Sequence, residues 1–229
     1  MRAVSAAVAY GGKSRVENKN FHKDVFERIS DDKRGRIFGS AMKEFASEGY
    51  FAANINTIAS NADISIGAMY TYFPSKENLF LAISEYGIGI FHEILADLKA
   101  PAGFFETVER LFHLTVRYAR RNVDISRMYL ELTTQQLLDL AARLAEKMEI
   151  DFREFYTALL KGAVEKGEIR ADVNIGFAAK FLDDLVLSLQ LENSVYYYES
   201  RLRQYVGEDM SDTDIIAGLM DVVRRYFLP

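Results

Sequence analysis

Residues 54–80, NINTIASNADISIGAMYTYFPSKENLF, leave the chain little choice of local fold. Asn54, Ser65 and Ser75 are all suited to capping a helix, and each stands just before a short stretch with apolar residues at helical spacing. Asp63 and Ile64 lie between the first two stretches, where only a tight turn fits. Pro74 stops the second, because the residue before a proline is driven out of helical geometry. The segment predicts a helix from Asn54 to about Ala62, a turn, a helix from Ser65 to Phe73, and a third helix opening at Ser75.

The same punctuation runs along the rest of the chain. Ser30 caps a helix with Asp31 and Asp32 in its first turn, Gly49 follows its end, and Ile37, Phe38, Ala41, Met42 and Phe45 form one apolar stripe. The helix from Ser75 reaches about Leu98 and is interrupted by Gly87 and Gly89, either as a close contact with a neighbour or as a compliant joint. Further helices are expected over 104–121, 124–136, 137–166, 175–191 and 214–227, the last two capped by Asp172 or Asn174 and by Ser211. Residues 193–209 read as partly helical. Strand-like alternation is hard to find, so the chain is expected to be all-α. Residues 1–25 read as a disordered leader, 26–84 as a helix-turn-helix domain, and 85–229 as a larger helical domain.

Composition narrows the classes. The absence of cysteine excludes disulfides and thiolate metal sites and suits a reducing cytoplasm. No apolar run approaches the roughly 20 residues that span a bilayer, so no membrane partner is expected. The net charge of −5 is unevenly spread. Residues 1–84 carry 11 Lys and Arg against 9 Asp and Glu, a net of +2, whereas 85–229 carry 17 against 24, a net of −7. That asymmetry fits one end meeting phosphate and the other not.

Two short helices joined by a tight turn suit a DNA major groove, with the second presenting side chains to base edges. The presented face here is Ser65, Ile66, Gly67, Ala68, Thr71 and Tyr72, with Ile64, Met69 and Phe73 turned inward. Gly67 and Ala68 let the backbone approach the groove floor; Ile66 and Ala68 suit thymine methyls, Ser65 and Thr71 suit bases or phosphates. Tyr70 and Tyr72 offer hydroxyls to phosphate. Lys76 stands in the first turn of the next helix, where backbone N–H groups already favour an anion. Asn54, capping the first helix of the pair, completes the DNA-facing set. Tyr70, Tyr72 and Phe73 as plain core aromatics, and Lys76 as a solvated charge, remain the bland alternative.

Residues 26–79 resemble the DNA-binding region of TetR-family transcriptional regulators. The resemblance is carried by Arg36-Ile37, Phe45 to Gly49-Tyr50, Asn54 to Ile58-Ala59, Ala62 to Ser65, Gly67, and Tyr70-x-Tyr72-Phe73 followed by Ser75-Lys76-Glu77-x-Leu79. It implies a homodimeric repressor that holds a palindromic operator of double-stranded DNA and is released by a small-molecule effector bound in the C-terminal domain. It places the family's phosphate-binding tyrosine on Tyr70 and its lysine on Lys76. The chain departs from the pattern in having Asp63 where glycine is usual, and in lacking Lys or Arg in the reading helix.

In the C-terminal part, 172–191 and 211–227 are more apolar than one buried face requires. Phe177, Phe181, Leu185, Leu189, Ile216, Leu219, Val223 and Tyr226 are expected to form a four-helix dimer interface, with an intramolecular core as the alternative. Phe112, His113, Arg117, Tyr129 and Phe155 are candidates for an effector pocket, which the aromatic composition suits to an apolar ligand. The three histidines show no metal-ligand spacing, and no phosphate loop or nucleophile elbow occurs. No catalytic residue, metal or cofactor is therefore expected. A helical ligand-binding or enzymatic protein whose helix-turn-helix has lost DNA binding is the second reading.

Overall fold

The computed structural model of the chain describes residues 21–98 and 103–228; the side chains of 90, 91, 93, 96, 97 and 145–151 lie outside that description. The described residues form eleven α-helices and one 3-10 turn, Gln135–Leu137, without a strand. The helices are α1 (Asp24–Glu27), α2 (Asp31–Ala52), α3 (Ile55–Asn61), α4 (Ile66–Tyr72), α5 (Lys76–Asp97) and α6 (Phe104–Arg121). There follow α7 (Val123–Leu132), α8 (Leu138–Glu165), α9 (Ile175–Glu192), α10 (Tyr196–Val206) and α11 (Asp212–Phe227).

Local side-chain chemistry sets most of the starts. Ser30, Asn54, Ser65, Ser75, Asn174 and Ser211 each accept a hydrogen bond from a backbone N–H two or three residues on, satisfying a donor the helix leaves open. Ser211 and Asp214 reciprocate in a full capping box. The end of α7 comes earlier than the expected residue 136. Thr133 and Thr134 turn their hydroxyls back onto the carbonyls of Leu130 and Glu131, taking up acceptors that another helical turn would use.

Packed structure reaches further toward the N-terminus than a leader over 1–25 allows. Phe21 rests on the core, and the N–H of Lys23 donates to the carbonyl of Tyr72 at 2.9 Å. Residues 1–20 lie outside the described residues.

The molecule has two hydrophobic cores that do not follow chain order. The first gathers α1–α4 and the start of α5, with Phe26, Phe45, Ile58, Met69, Phe73 and Phe80 fully enclosed. It also takes Met128 and Leu132 of α7, and Leu137, Leu140 and Leu144 after it. The second packs α6, α9 and α11 around Phe104, Phe112, Leu182, Ile216 and Phe227 with Tyr156 of α8. Helix α5 passes without a break from the first core, at Ile83, to the second, at Ile94, so a boundary at residue 84 falls inside a helix. Gly87 is a close contact: a Cβ there would meet Ile125 Cγ2 of α7 at 2.9 Å, whereas Gly89 has open space around it.

Candidate functional site

Helices α3 and α4 are joined by a turn that only one residue makes possible. Asp63 has φ 55°, its N–H donates to Ser60 O, and the N–H of Ile64 reaches back to Ala59 O. This is a left-handed helix stop, which aspartate tolerates where most L side chains would not. Arg36 of α2 donates from Nε to the Ala62 carbonyl at 3.3 Å, tying the turn to the helix that braces it.

Met69 and Phe73 face the core, and Ile64 is half-buried. On the other side Ser65, Ile66, Gly67, Tyr70 and Thr71 are exposed, with Asn54 exposed nearby and Ala68 half-buried. Tyr70 keeps 49% of its surface in solvent. Thr71 returns its hydroxyl to Gly67 O at 2.9 Å, and Ser65 Oγ accepts from the Ala68 N–H, so both polar groups also stabilise α4 itself.

Tyr72 does not belong to the presented face. It is 7% exposed, lies 5.7 Å from the Phe26 ring, and its hydroxyl accepts from Lys33 Nζ at 2.9 Å. Phe26 comes from α1, a four-residue helix with no capping signal strong enough to reveal it in the sequence. Lys33, which the sequence did not single out, is thereby brought to the edge of this surface.

Lys76 has a structural task as well. Its Nζ donates to the carbonyls of Phe51 and Ala53 at 2.9 and 3.1 Å and sits 5.1 Å from the centre of the Tyr50 ring. An ammonium has three donors, so one remains for an anion outside.

A cavity of about 940 Å³ lies between α5, α6, α7, α8 and α9. Of the five pocket candidates only Tyr129 lines it. Phe112 is buried in the second core, Phe155 packs against that core, and His113 and Arg117 are exposed. The cavity instead takes Thr115, Tyr118 and Ala119 from α6 and Asn122 from its C-cap. These stand on the opposite side of the helix from His113 and Arg117, as a 3.6-residue period requires.

Helix α7 serves two neighbours at once. Ile125, Met128, Tyr129 and Leu132 line the cavity, while Met128 and Leu132 also belong to the first core. Glu131, from the same turn, accepts the Tyr50 N–H through Oε1 at 3.1 Å. Tyr50 follows Gly49, where α2 breaks with φ 75° and ψ 167°. Arg143 of α8 forms a second tie, an ion pair with Glu77 in the first turn of α5. Among the described residues no group of three or more His, Asp or Glu could hold a metal ion, and no helix is long and apolar enough to cross a membrane.

Helices α9 and α11 carry apolar residues on two faces. Leu189, Ile216 and Val223 are buried in the second core of the subunit itself, so they are not available to a partner copy. Phe177, 77% exposed, continues at four-residue steps through the half-buried Phe181 and Leu185. Beside it stand Leu219, Val222 and Tyr226, with the Phe181 and Tyr226 rings 5.9 Å apart. Val222, 53% exposed, completes this face and was not among the expected residues.

Comparison with known proteins agrees with this architecture. Residues 37–83 match the model of the family described as bacterial regulatory proteins, tetR family. The HTH-type transcriptional regulator UidR of Escherichia coli K12 is 28% identical over 166 residues, 71% of this chain and 82% of that protein. The HTH-type transcriptional repressor KstR2 of Rhodococcus jostii is 27% identical over 161 residues, 66% and 75% respectively. The transcriptional regulator FadR of Bacillus subtilis, in complex with stearoyl-CoA, superimposes with a TM-score of 0.68 at 16% identity, covering 83% of this chain and 97% of that one. Residues 37–83 thus carry the DNA-binding region of the tetR family of bacterial regulatory proteins, set in an all-α fold that solved regulators share.

Proposed function

We propose that the protein is a homodimeric, ligand-responsive repressor. Two copies join through the exposed face of α9 and α11, and each lays Ser65, Ile66, Gly67 and Thr71 of α4 into a major groove of a palindromic operator. Half-sites one helical turn apart need reading helices about 34–36 Å from each other. Tyr70 and the free donor of Lys76 hold phosphates on either side, a sequence-independent grip that positions the bases for reading. In this division, 21–83 reads DNA and the remainder senses the effector and dimerises.

The observation that carries the sensing role is the position of α7, ten residues that wall the cavity and also support the first core. A ligand that changes the packing of Tyr129 or Ile125 acts on the same helix whose Glu131 holds the Tyr50 N–H. The effector shifts DNA affinity only by its differential affinity for the two arrangements, ~1–3 kcal/mol or roughly 5–150-fold. An apolar effector suits the lining, and the similarly folded FadR was seen with an apolar acyl chain on stearoyl-CoA.

The test is a titration of purified protein on DNA fragments selected from the source genome, with a broad set of apolar small molecules. At least one is expected to weaken binding within that range; no response from any would overturn the sensing role. Glu131→Ala is expected to keep effector-free DNA binding and to flatten the effector response. It should also cost about 1–3 kcal/mol of stability by leaving the Tyr50 N–H unpaired. A full response in this variant would remove Glu131 from the coupling.

A further inference from the structure

Among the described lining residues of the cavity the charged side chains are Arg153, Lys180, Asp183 and Asp184, on α8 and α9. Arg153, Lys180 and Asp184 are exposed, and Lys180 is bonded to Asp184. Asp183 is half-buried. Toward α7 the wall carries the apolar Ile125, Met128, Leu132, Leu138 and Leu144 together with Ser126, Tyr129 and Thr133. Of the lining hydroxyls and amides, Thr115 donates to Leu111 O, and Gln190 donates to Ser126 Oγ.

Tyr156 differs from these. It lies in the cavity wall, is 1% exposed, and no protein group hydrogen-bonds its hydroxyl. A buried hydroxyl without a partner is costly, and a ligand group that meets it recovers that loss. Burial, and secondarily the negative charge of Asp183, push its pKa well above the ordinary tyrosine range, so it is a donor at neutral pH.

The geometry points to an effector that is uncharged: an apolar body with a hydroxyl or carbonyl head that accepts a hydrogen bond from Tyr156 beside Asp183. An anionic head fits poorly at the same place, because it meets the Asp183 carboxylate in a partly desolvated wall where repulsion is weakly screened. Among the described lining residues two cations stand against two carboxylates, and Lys180 is already paired with Asp184. This inference rests on the effector reading of the cavity and specifies the chemical class that the cavity selects.

Calorimetric titration of the DNA-free protein with 1-decanol and with decanoate at neutral pH tests it. Decanol is expected to bind roughly tenfold more tightly than decanoate. Tyr156→Phe should fold at least as stably as the parent and weaken decanol roughly three- to tenfold. Asp183→Asn should raise decanoate affinity and leave decanol nearly unchanged. Tighter binding of decanoate, no binding of either probe, or indifference of decanol to Tyr156→Phe would overturn the proposal. DNA affinity, measured separately, keeps the two readings apart. A preference for decanol with no molecule loosening DNA refutes only the regulatory role. Release of DNA by anionic ligands, with the preference reversed, refutes only this assignment.

Discussion

Replacing Phe177 and Val222 together by glutamate is expected to yield a folded monomer that binds operator DNA roughly 10²–10⁴-fold more weakly than the parent chain. Both side chains are more than half exposed in the isolated subunit, so their loss opens no cavity in its core. Their neighbours Phe181, Leu185, Leu219 and Tyr226 form one apolar surface across α9 and α11, and monomeric proteins rarely leave such a patch uncovered. Two glutamates per subunit, brought opposite two more, turn that contact into a repulsive one. The monomer keeps one α4 and loses the second groove contact, which otherwise follows at high effective concentration. Sedimentation and DNA titration on the same sample check the two effects together. A variant that stays dimeric places the interface elsewhere; a monomer with undiminished operator affinity contradicts the two-groove geometry.

Gly49→Ala should destabilise the protein by about 2 kcal/mol, a fall in melting temperature of roughly 4–8 °C for a chain of this size. At φ 75° and ψ 167° the backbone occupies a region almost reserved for glycine. A Cβ there would also sit 3.1 Å from Glu131 Oε1, displacing the carboxylate that receives the Tyr50 N–H. Strain and a lost tie between α2 and α7 thus act at one position. Gly39→Ala, on the exposed face of the same helix with nothing within 4 Å of the new carbon, should have the opposite sign and stabilise by about 0.5–1 kcal/mol. Thermal denaturation of both variants checks the pair. Equal effects would mean that Gly49 is not the strained break described here.

What the sequence revealed and what it hid divides along a physical line. Helix starts were legible because a cap is a local event: Ser30, Ser65 and Ser75 each bond a backbone N–H three residues away, whatever the rest of the fold does. The turn at Asp63 was legible for the same reason. Which side of a helix meets which neighbour is decided by distant chain. Tyr72 is buried because a short helix 46 residues earlier in sequence supplies Phe26. Leu189, Ile216 and Val223 have the same apolar character as Phe181 and Leu219, and only the packing of α6 and α8 selects them for the subunit core. His113 and Arg117 looked like pocket residues by type, but the cavity lies on the other side of α6. Nothing in the sequence singled out the Tyr156 hydroxyl from the other middle-helix aromatics; its significance lies in a partner it lacks.

Lys76 shows how one residue can serve both fold and function. Its two bonds to the carbonyls after Gly49 mean that Lys76→Ala disturbs the brace of the reading helix as well as any phosphate contact. Gly67 is a cleaner probe. It is exposed on α4, and only its own cap, Ser65 Oγ, comes within 4 Å of an added Cβ. A side chain there alters the surface offered to DNA and little else.

The most direct test of the account is the affinity of the dimer for its selected DNA fragment as salt is raised, measured for the parent chain and for Gly67→Glu. The parent is expected to lose affinity on a straight log–log line, with a slope near −0.9 for each phosphate neutralised, and Gly67→Glu to show no specific binding at any salt concentration. A parent affinity indifferent to salt, or a Gly67→Glu protein that binds the fragment as tightly as the parent, would contradict the placement of α4 in the groove.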